Sequence, residues 1–253
     1  MRGRRLRFYR SFIGSGDLVF DIGANMGERS EIFLALDAVV VAVEPQAECI
    51  ERLCNKWKDE PRFTLFEGAC AEEQGTLELF VSDADTLSSM SVDWIDAVRQ
   101  SGRFTDRRWD ETRVVATTTL DALIAEHGTP VFLKIDVEGF EYRVLSGLTQ
   151  PVNCASIEWS SESLPVTARC VEHLSRLGME EFNLSFGDSV SWALPKWVDD
   201  REIISFLARP MEKLAWGDLY ARRSEPAVIQ AEAFERSVDL SGAGRTKRNI
   251  PHA

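Results

Sequence analysis

Asp17-Leu18-Val19-Phe20-Asp21-Ile22-Gly23-Ala24-Asn25-Met26-Gly27-Glu28 is the stretch on which the fold turns. Val19 to Ile22 is a short, mostly apolar run, the pattern of a strand buried in a sheet. Gly23 and Gly27 follow, and then a helical pattern begins. A strand, a glycine turn and a helix start together make a pocket for a nucleotide-type ligand. Gly23 is suited to a positive φ, and Gly27 lets the helix start pack close to strand and ligand. The next apolar run, Val39 to Val43, ends in Glu44-Pro45. A carboxylate there is placed to accept hydrogen bonds from both hydroxyls of a ribose.

The glycine spacing discriminates between cofactors. Gly23 and Gly27 form Gly-x-x-x-Gly, not the Gly-x-Gly-x-x-Gly of dinucleotide enzymes. Asp21 and Asn25 add polar groups where a cationic amino-acid ligand needs them. S-adenosylmethionine is therefore expected rather than a nicotinamide cofactor. A nicotinamide-dependent oxidoreductase on a related fold is the alternative enzyme, and a non-catalytic protein that kept the pocket is the alternative outside enzymes.

Downstream, strands and helices alternate. Glu28 to Leu36 carries Ile32, Phe33, Ala35 and Leu36 on one helical face, and Ala47, Ile50, Leu53, Cys54 and Trp57 repeat the pattern. Phe63 to Phe66 is a third strand, closed by Glu67-Gly68-Ala69, and the small Gly68 and Ala69 leave room for an adenine ring. Leu77 to Val81 and Val114 to Thr118 read as strands, Leu120 to Glu126 as a helix capped by Thr118 or Thr119, and Val131 to Ile135 as the central strand of the second half. Ala155 to Trp159 is a strand, and Cys170, Val171, Leu174 and Leu177 line a helix that Pro165 opens and Gly178 closes. Phe182, Leu184 and Phe186 alternate, as do Val190, Trp192 and Leu194, with Gly187-Asp188 between them, which predicts a hairpin. Ile203 to Leu207 reads as a helix, and Asp218 to Ala221 as a strand returning to the sheet. This is an α/β sheet, parallel at its centre and antiparallel at its end.

Ser82 to Thr112 interrupts the alternation as an inserted, substrate-facing segment. Its arginines, Arg103, Arg107 and Arg108, read either as an anion site or as a solvated, salt-bridged face. The domain proper runs from 17 to 223. Residues 1–16 form a basic arm, and 224–253 a C-terminal extension whose tail, from about Ser241, has the composition of a disordered segment.

With 253 residues and 44% hydrophobic content, the chain can bury a sizeable core. A net charge of −12 disfavours a phosphate backbone as partner, so no nucleic acid is expected. The five cysteines are scattered and form no Cys-x-x-Cys pair, consistent with a reducing, cytoplasmic setting and with neither zinc nor a disulfide framework. No apolar run reaches the ~18 residues of a membrane span.

The second cluster is Val131-Phe132-Leu133-Lys134-Ile135-Asp136-Val137-Glu138-Gly139. Lys134 and Asp136 share one strand face, and a lysine inside an apolar strand needs a partner, either Asp21 or Asp136. Asp136 and Glu138 lie at the strand end that opens on the crevice, and Glu158 near the end of the adjacent strand. Three converging carboxylates raise one another's pKa, and one then serves as general base on a hydroxyl. Such a trio is also able to hold a divalent cation, but no metal is assigned. The three histidines are poorly placed for either role.

The segments from Val19 to Gly27, Val43-Glu44-Pro45, Thr119-Leu120-Asp121, and Leu133 to Glu141 resemble the FkbM family of S-adenosylmethionine-dependent methyltransferases, in order and spacing, from about residue 17 to Glu158. Gly217-Asp218-Leu219-Tyr220-Ala221 is similar to that family's last strand, whereas Ser82 to Thr112 matches only at Ser88-Ser89-Met90. The resemblance implies a class I, Rossmann-like methyltransferase fold: seven mostly parallel strands, the last antiparallel, with helices on both faces. It implies O-methylation of a sugar, glycolipid or secondary metabolite. By motif position Asp21, Gly23, Ala24, Asn25 and Gly27 cradle the methionine part, Glu44 holds the ribose, and Asp136 lies near the transferred methyl.

Overall fold

The computed structural model describes residues 2–210 and 214–224. Its elements are, in chain order, α1 (Arg2–Tyr9), β1 (Leu18–Ile22), α2 (Glu28–Leu34), β2 (Val39–Glu44), α3 (Ala47–Trp57), β3 (Phe63–Glu67), β4 (Ala69–Cys70), β5 (Gly75–Val81), α4 (Val92–Ser101), β6 (Glu111–Thr118), α5 (Leu120–His127), β7 (Phe132–Ile135), α6 (Glu141–Ser146), β8 (Cys154–Ser160), α7 (Leu164–Arg176), β9 (Glu181–Leu184), α8 (Asp200–Leu207) and β10 (Trp216–Arg222).

Seven strands form the main sheet in the order β3-β2-β1-β7-β8-β10-β9. β3, β2, β1, β7 and β8 run parallel, and β10 lies antiparallel between β8 and β9. The strands at the centre are apolar on both faces because helices cover both. Phe20, Val41 and Leu133 face a core closed by residues of α5, α6, α7 and α8. Their neighbours Val19, Val40 and Phe132 face the opposite core, with Tyr9, Ile32 and Phe33. The order reverses between β1 and β7, so the crevice opens there, at the C-terminal ends of both strands.

The structure departs from the sequence reading in three places. β5 and β6 do not join the main sheet; with β4, which the sequence reads as a turn, they form a separate three-stranded sheet in the order β4-β6-β5. The expected hairpin does not form. β9 ends at Leu184 and pairs with β10 along one edge, while along its other edge it makes only a single antiparallel bridge, Phe182 with Val198, and a bond from the Ala193 N–H to the Leu184 carbonyl. The buried Asn183 amide accepts from the Leu194 N–H at 3.2 Å and donates to the Leu194 and Lys196 carbonyls. Those backbone groups thus find a side chain in place of a partner strand. The inserted segment contains α4, on which Trp94, Ile95 and Val98 build a small core with Leu87 and Trp109.

The basic arm folds as α1 and continues into a turn. Tyr9 is buried edge-on against Phe33 and Phe132. Apart from Ser224, the C-terminal extension and its tail from Ser241 lie outside the described residues.

Candidate cofactor and acceptor site

A cleft of about 470 Å³ opens over the ends of β1, β2 and β7. Gly23, Ala24, Asn25 and Met26 form one wall, Glu44, Pro45 and Gln46 a second, Ala69 and Cys70 a third. Asp136, Val137 and Glu138 close it on the β7 side. This volume suits a ligand of cofactor size.

Gly23 has φ 81, and a Cβ there would strike the Asp136 carbonyl. Only glycine lets the turn after β1 nest against the loop after β7. Gly27 serves differently. It does not line the cleft; a side chain at that position would meet Trp57 and Leu53 of α3. Gly68 is likewise outside the cleft, packed on the Ala116 carbonyl, while its neighbour Ala69 lines it.

Glu44 is 1% exposed. Its Oε2 accepts the Asn25 backbone N–H at 2.7 Å, and its Oε1 accepts that of Gln46 at 2.9 Å. Burial pushes its carboxyl up to about 7, against the pull of these backbone donors. The Gln46 side chain also bonds this carboxylate, which still has acceptor capacity for a hydroxyl reached from the cleft.

Asp21 stands apart from the cleft. It is 1% exposed and accepts the Ser30 hydroxyl at 2.5 Å, and burial raises its pKa. It is not among the residues that line the cleft, it braces the turn through Ser30, and it is not the hydrogen-bonded partner of Lys134. The Lys134 ammonium, fully buried, binds Asp136 Oδ2 at 3.1 Å and Asp218 Oδ1 at 2.9 Å. Asp218 lies two strands away on β10. The small Ser156 of β8, register partner of Lys134, leaves room for that reach. Burial opposes the lysine's charge, but the two aspartates outweigh it and hold its pKa above the ordinary value.

The carboxylates of Asp136, Glu138 and Glu158 each offer an oxygen within 4.8 Å of the others. Asp136 and Glu138 line the cleft, and Glu158 completes the group from β8. Burial and then the Asp136 charge push Glu138 well above the usual carboxylate range; burial and then Glu138 do the same for Glu158. Glu138 has φ 51, a left-handed conformation costly for any residue with a Cβ. Three contacts hold the strained loop. The Ser89 hydroxyl donates to the Glu138 carbonyl at 2.6 Å. Glu141 accepts the Gly139 N–H at 3.0 Å, and burial raises its own pKa to about 7. Trp94 packs where a side chain at Gly139 would lie.

The inserted segment reaches the cleft through Thr86, Ser88, Ser89 and Met90. Ser88 donates to the Gln46 amide oxygen at 2.8 Å, so the same dipeptide touches the Glu44 wall and the Glu138 loop. The arginines of the segment are spent elsewhere. Arg103 forms a two-pronged pair with Glu162, at 2.8 and 2.9 Å, and Arg107 and Arg108 pair with Asp83 and Asp110. Burial works against the Glu162 charge, but Arg103 and Ser101 hold its carboxyl down at about 2. The salt-bridged reading of this cluster is the one the structure supports.

Arg29, Gln46, Asp188 and Asp218 escaped the sequence reading. Each is placed by a contact between segments distant in sequence, so no spacing rule points to it. Ser88 and Ser89 had a signal, their match to the family pattern.

Parallel strands in this order, one antiparallel intruder and a glycine-turned cleft over the switch point define a class I methyltransferase. A family model, the Methyltransferase FkbM domain, matches residues 21–184. The chain belongs to that family and is an S-adenosylmethionine-dependent methyltransferase. Among curated proteins no sequence match was found. Among solved structures, the chain is similar to precorrin-6y C5,15-methyltransferase from Geobacter metallireducens, with TM-score 0.45, 11% identity, and 88% of this chain and 87% of that one covered. It is similar also to fibrillarin from Aeropyrum pernix, solved with natively bound S-adenosyl-L-methionine, with TM-score 0.42, 10% identity and 82% and 67% covered. A putative RNA methyltransferase from Pyrococcus horikoshii gives TM-score 0.43, 11% identity and 88% and 83% covered.

Proposed function

We propose that this enzyme methylates a hydroxyl of a sugar, glycolipid or secondary metabolite, with a carboxylate of the Asp136–Glu138–Glu158 group as general base. The observation that carries this reading is the convergence of those three acids, two with raised proton affinity, at the mouth of the cofactor cleft. The chain's own geometry fits the cofactor: the Gly23 cradle admits no side chain, and the buried Glu44 aims acceptor oxygens at the ribose position. When bound, S-adenosylmethionine supplies an electrophilic methyl group.

The chain does the rest. Gly23 to Met26 and Glu44 would hold the cofactor and so fix the direction from which an acceptor hydroxyl must approach. Lys134 and Asp218 hold Asp136 at the cleft edge. Glu138 or Glu158 takes the hydroxyl proton as the oxygen attacks; a carboxylate of raised pKa is the stronger base for it. The net charge of −12 disfavours a nucleic-acid acceptor, so a small molecule or glycan is proposed. A cytoplasmic setting is proposed too, supported by five free thiols. No helix among the described residues is long and apolar enough to cross a membrane.

The test is methyl transfer from radiolabelled cofactor to a panel of glycans and hydroxylated metabolites. Glu138→Gln and Glu158→Gln are expected to bind cofactor normally, and at least one to lose transfer by about 100-fold or more. Full transfer in both variants removes these acids from the chemistry.

A further inference from the structure

The cleft has a one-sided charge pattern. Glu28, Glu44, Asp136, Glu138 and Asp188 line it, and among the described residues Arg29 is its single cationic lining group. The Arg29 side chain is 18% exposed and donates from Nη2 to Asp188 Oδ1 at 3.2 Å. A guanidinium has five N–H donors in a planar fork, so that bond leaves donors for a ligand. Asp188 does not depend on Arg29 alone. Arg5 of α1 donates to the same oxygen at 2.7 Å.

Position adds direction to charge. Glu44 ends β2, on one side of β1, whereas Asp188 follows β9, at the far edge of the sheet. Arg29, joined to Asp188, marks the side of the cleft away from the ribose-binding carboxylate. S-adenosylmethionine has a nucleoside at one end and an amino acid at the other. Its sulfonium and ammonium suit a cleft rich in carboxylates. Its α-carboxylate is the one group that such a cleft repels, and it needs a cation.

We infer that Arg29 anchors the α-carboxylate at the methionine end of the cofactor. This deepens the cofactor reading above and rests on it. The Arg29 fork would then hold the amino-acid end while Glu44 holds the ribose, leaving Asp136 and Glu138 on the lining between the two anchors.

Calorimetry on the full chain tests this with two ligands that differ in the carboxylate alone: S-adenosylmethionine and decarboxylated S-adenosylmethionine. The wild-type chain is expected to prefer the carboxylated ligand by about tenfold to 100-fold, the range for a hydrogen-bonded charged pair. Arg29→Gln is expected to erase most of that preference while binding the decarboxylated ligand within about threefold of wild type. Arg29→Lys, which keeps the charge and loses the fork, falls between them. An unchanged preference in Arg29→Gln overturns the inference, as does a wild-type chain that binds both ligands equally. Equal loss of both ligands in both variants makes Arg29 a residue of the fold and overturns it too. A wild-type chain that binds neither ligand refutes the cofactor reading itself, an outcome distinct from the others.

Discussion

The proposed ribose role of Glu44 should make cofactor affinity depend on pH in a range where few carboxylates titrate. Burial raises its pKa to about 7 in the ligand-free protein. With ribose hydroxyls donating to it, as proposed, a bond to the charged acceptor is worth about 1.5–3 kcal/mol against about 0.5–1.5 for the neutral one. The difference, about 1.4 kcal/mol, is a factor of ten. With a pKa near 7, about one Glu44 in eleven is ionised at pH 6 and about ten in eleven at pH 8. Affinity for S-adenosylhomocysteine should therefore rise about fivefold from pH 6 to pH 8. Binding at pH 7 should release about 0.4 proton, because the ligand favours the ionised form about tenfold and so lowers the bound pKa by about one unit. Titration calorimetry in two buffers of different ionisation enthalpy reads both quantities. Glu44→Gln should flatten this slope and weaken binding at pH 8 by about tenfold. It should also destabilise the chain by about 1–3 kcal/mol, since the new NH₂ must face the Asn25 or the Gln46 N–H. A wild-type affinity that is flat from pH 6 to pH 8 refutes the assignment of Glu44 to the ribose.

Other expectations follow from the same contacts. Glu44 and Glu141 both have folded pKa values of about 7, above the unfolded value of 4.5, so their stabilisation is full below 4.5 and lost as pH rises through 7. Each should cost the ligand-free protein about 1 kcal/mol between pH 6 and pH 8, seen as a lower urea midpoint at pH 8. Lys134→Met should destabilise by about 3–5 kcal/mol, because Asp218 stays buried without its cation; adding Asp218→Asn should restore a large part, measured by urea unfolding. Ser89→Ala frees the carbonyl of the strained Glu138 and should lower kcat while cofactor affinity, read by calorimetry, stays within twofold (about 0.4 kcal/mol). Gly23→Ala should abolish cofactor binding, since its methyl meets the Asp136 backbone; retained binding in calorimetry refutes the cradle.

Local chemistry made much of this protein legible from its residues. An apolar run such as Val39 to Val43 cannot face water on either side, so it implies a central parallel strand wherever the chain places it. The turn at Gly23 and the acids at Glu44 and Asp136 are bound to strand ends, and strand ends in such a sheet open on the crevice. Tertiary structure decided what depends on distant neighbours. Asp21 and Asp218 are both aspartates on strands, and only the register of β1, β7, β8 and β10 gives Lys134 to the second and leaves the first to Ser30. Alternation at Phe182 to Leu194 predicted a hairpin, but the Asn183 amide captured the second half, a competition that periodicity does not register. Arg29 carries no motif. It enters the cleft because α2 starts at Glu28, just after the Gly27 turn, and Asp188 arrives from the other edge of the sheet. Spacing along a chain encodes which face a residue takes, whereas which charges meet across that face is settled when strands far apart in sequence are laid side by side.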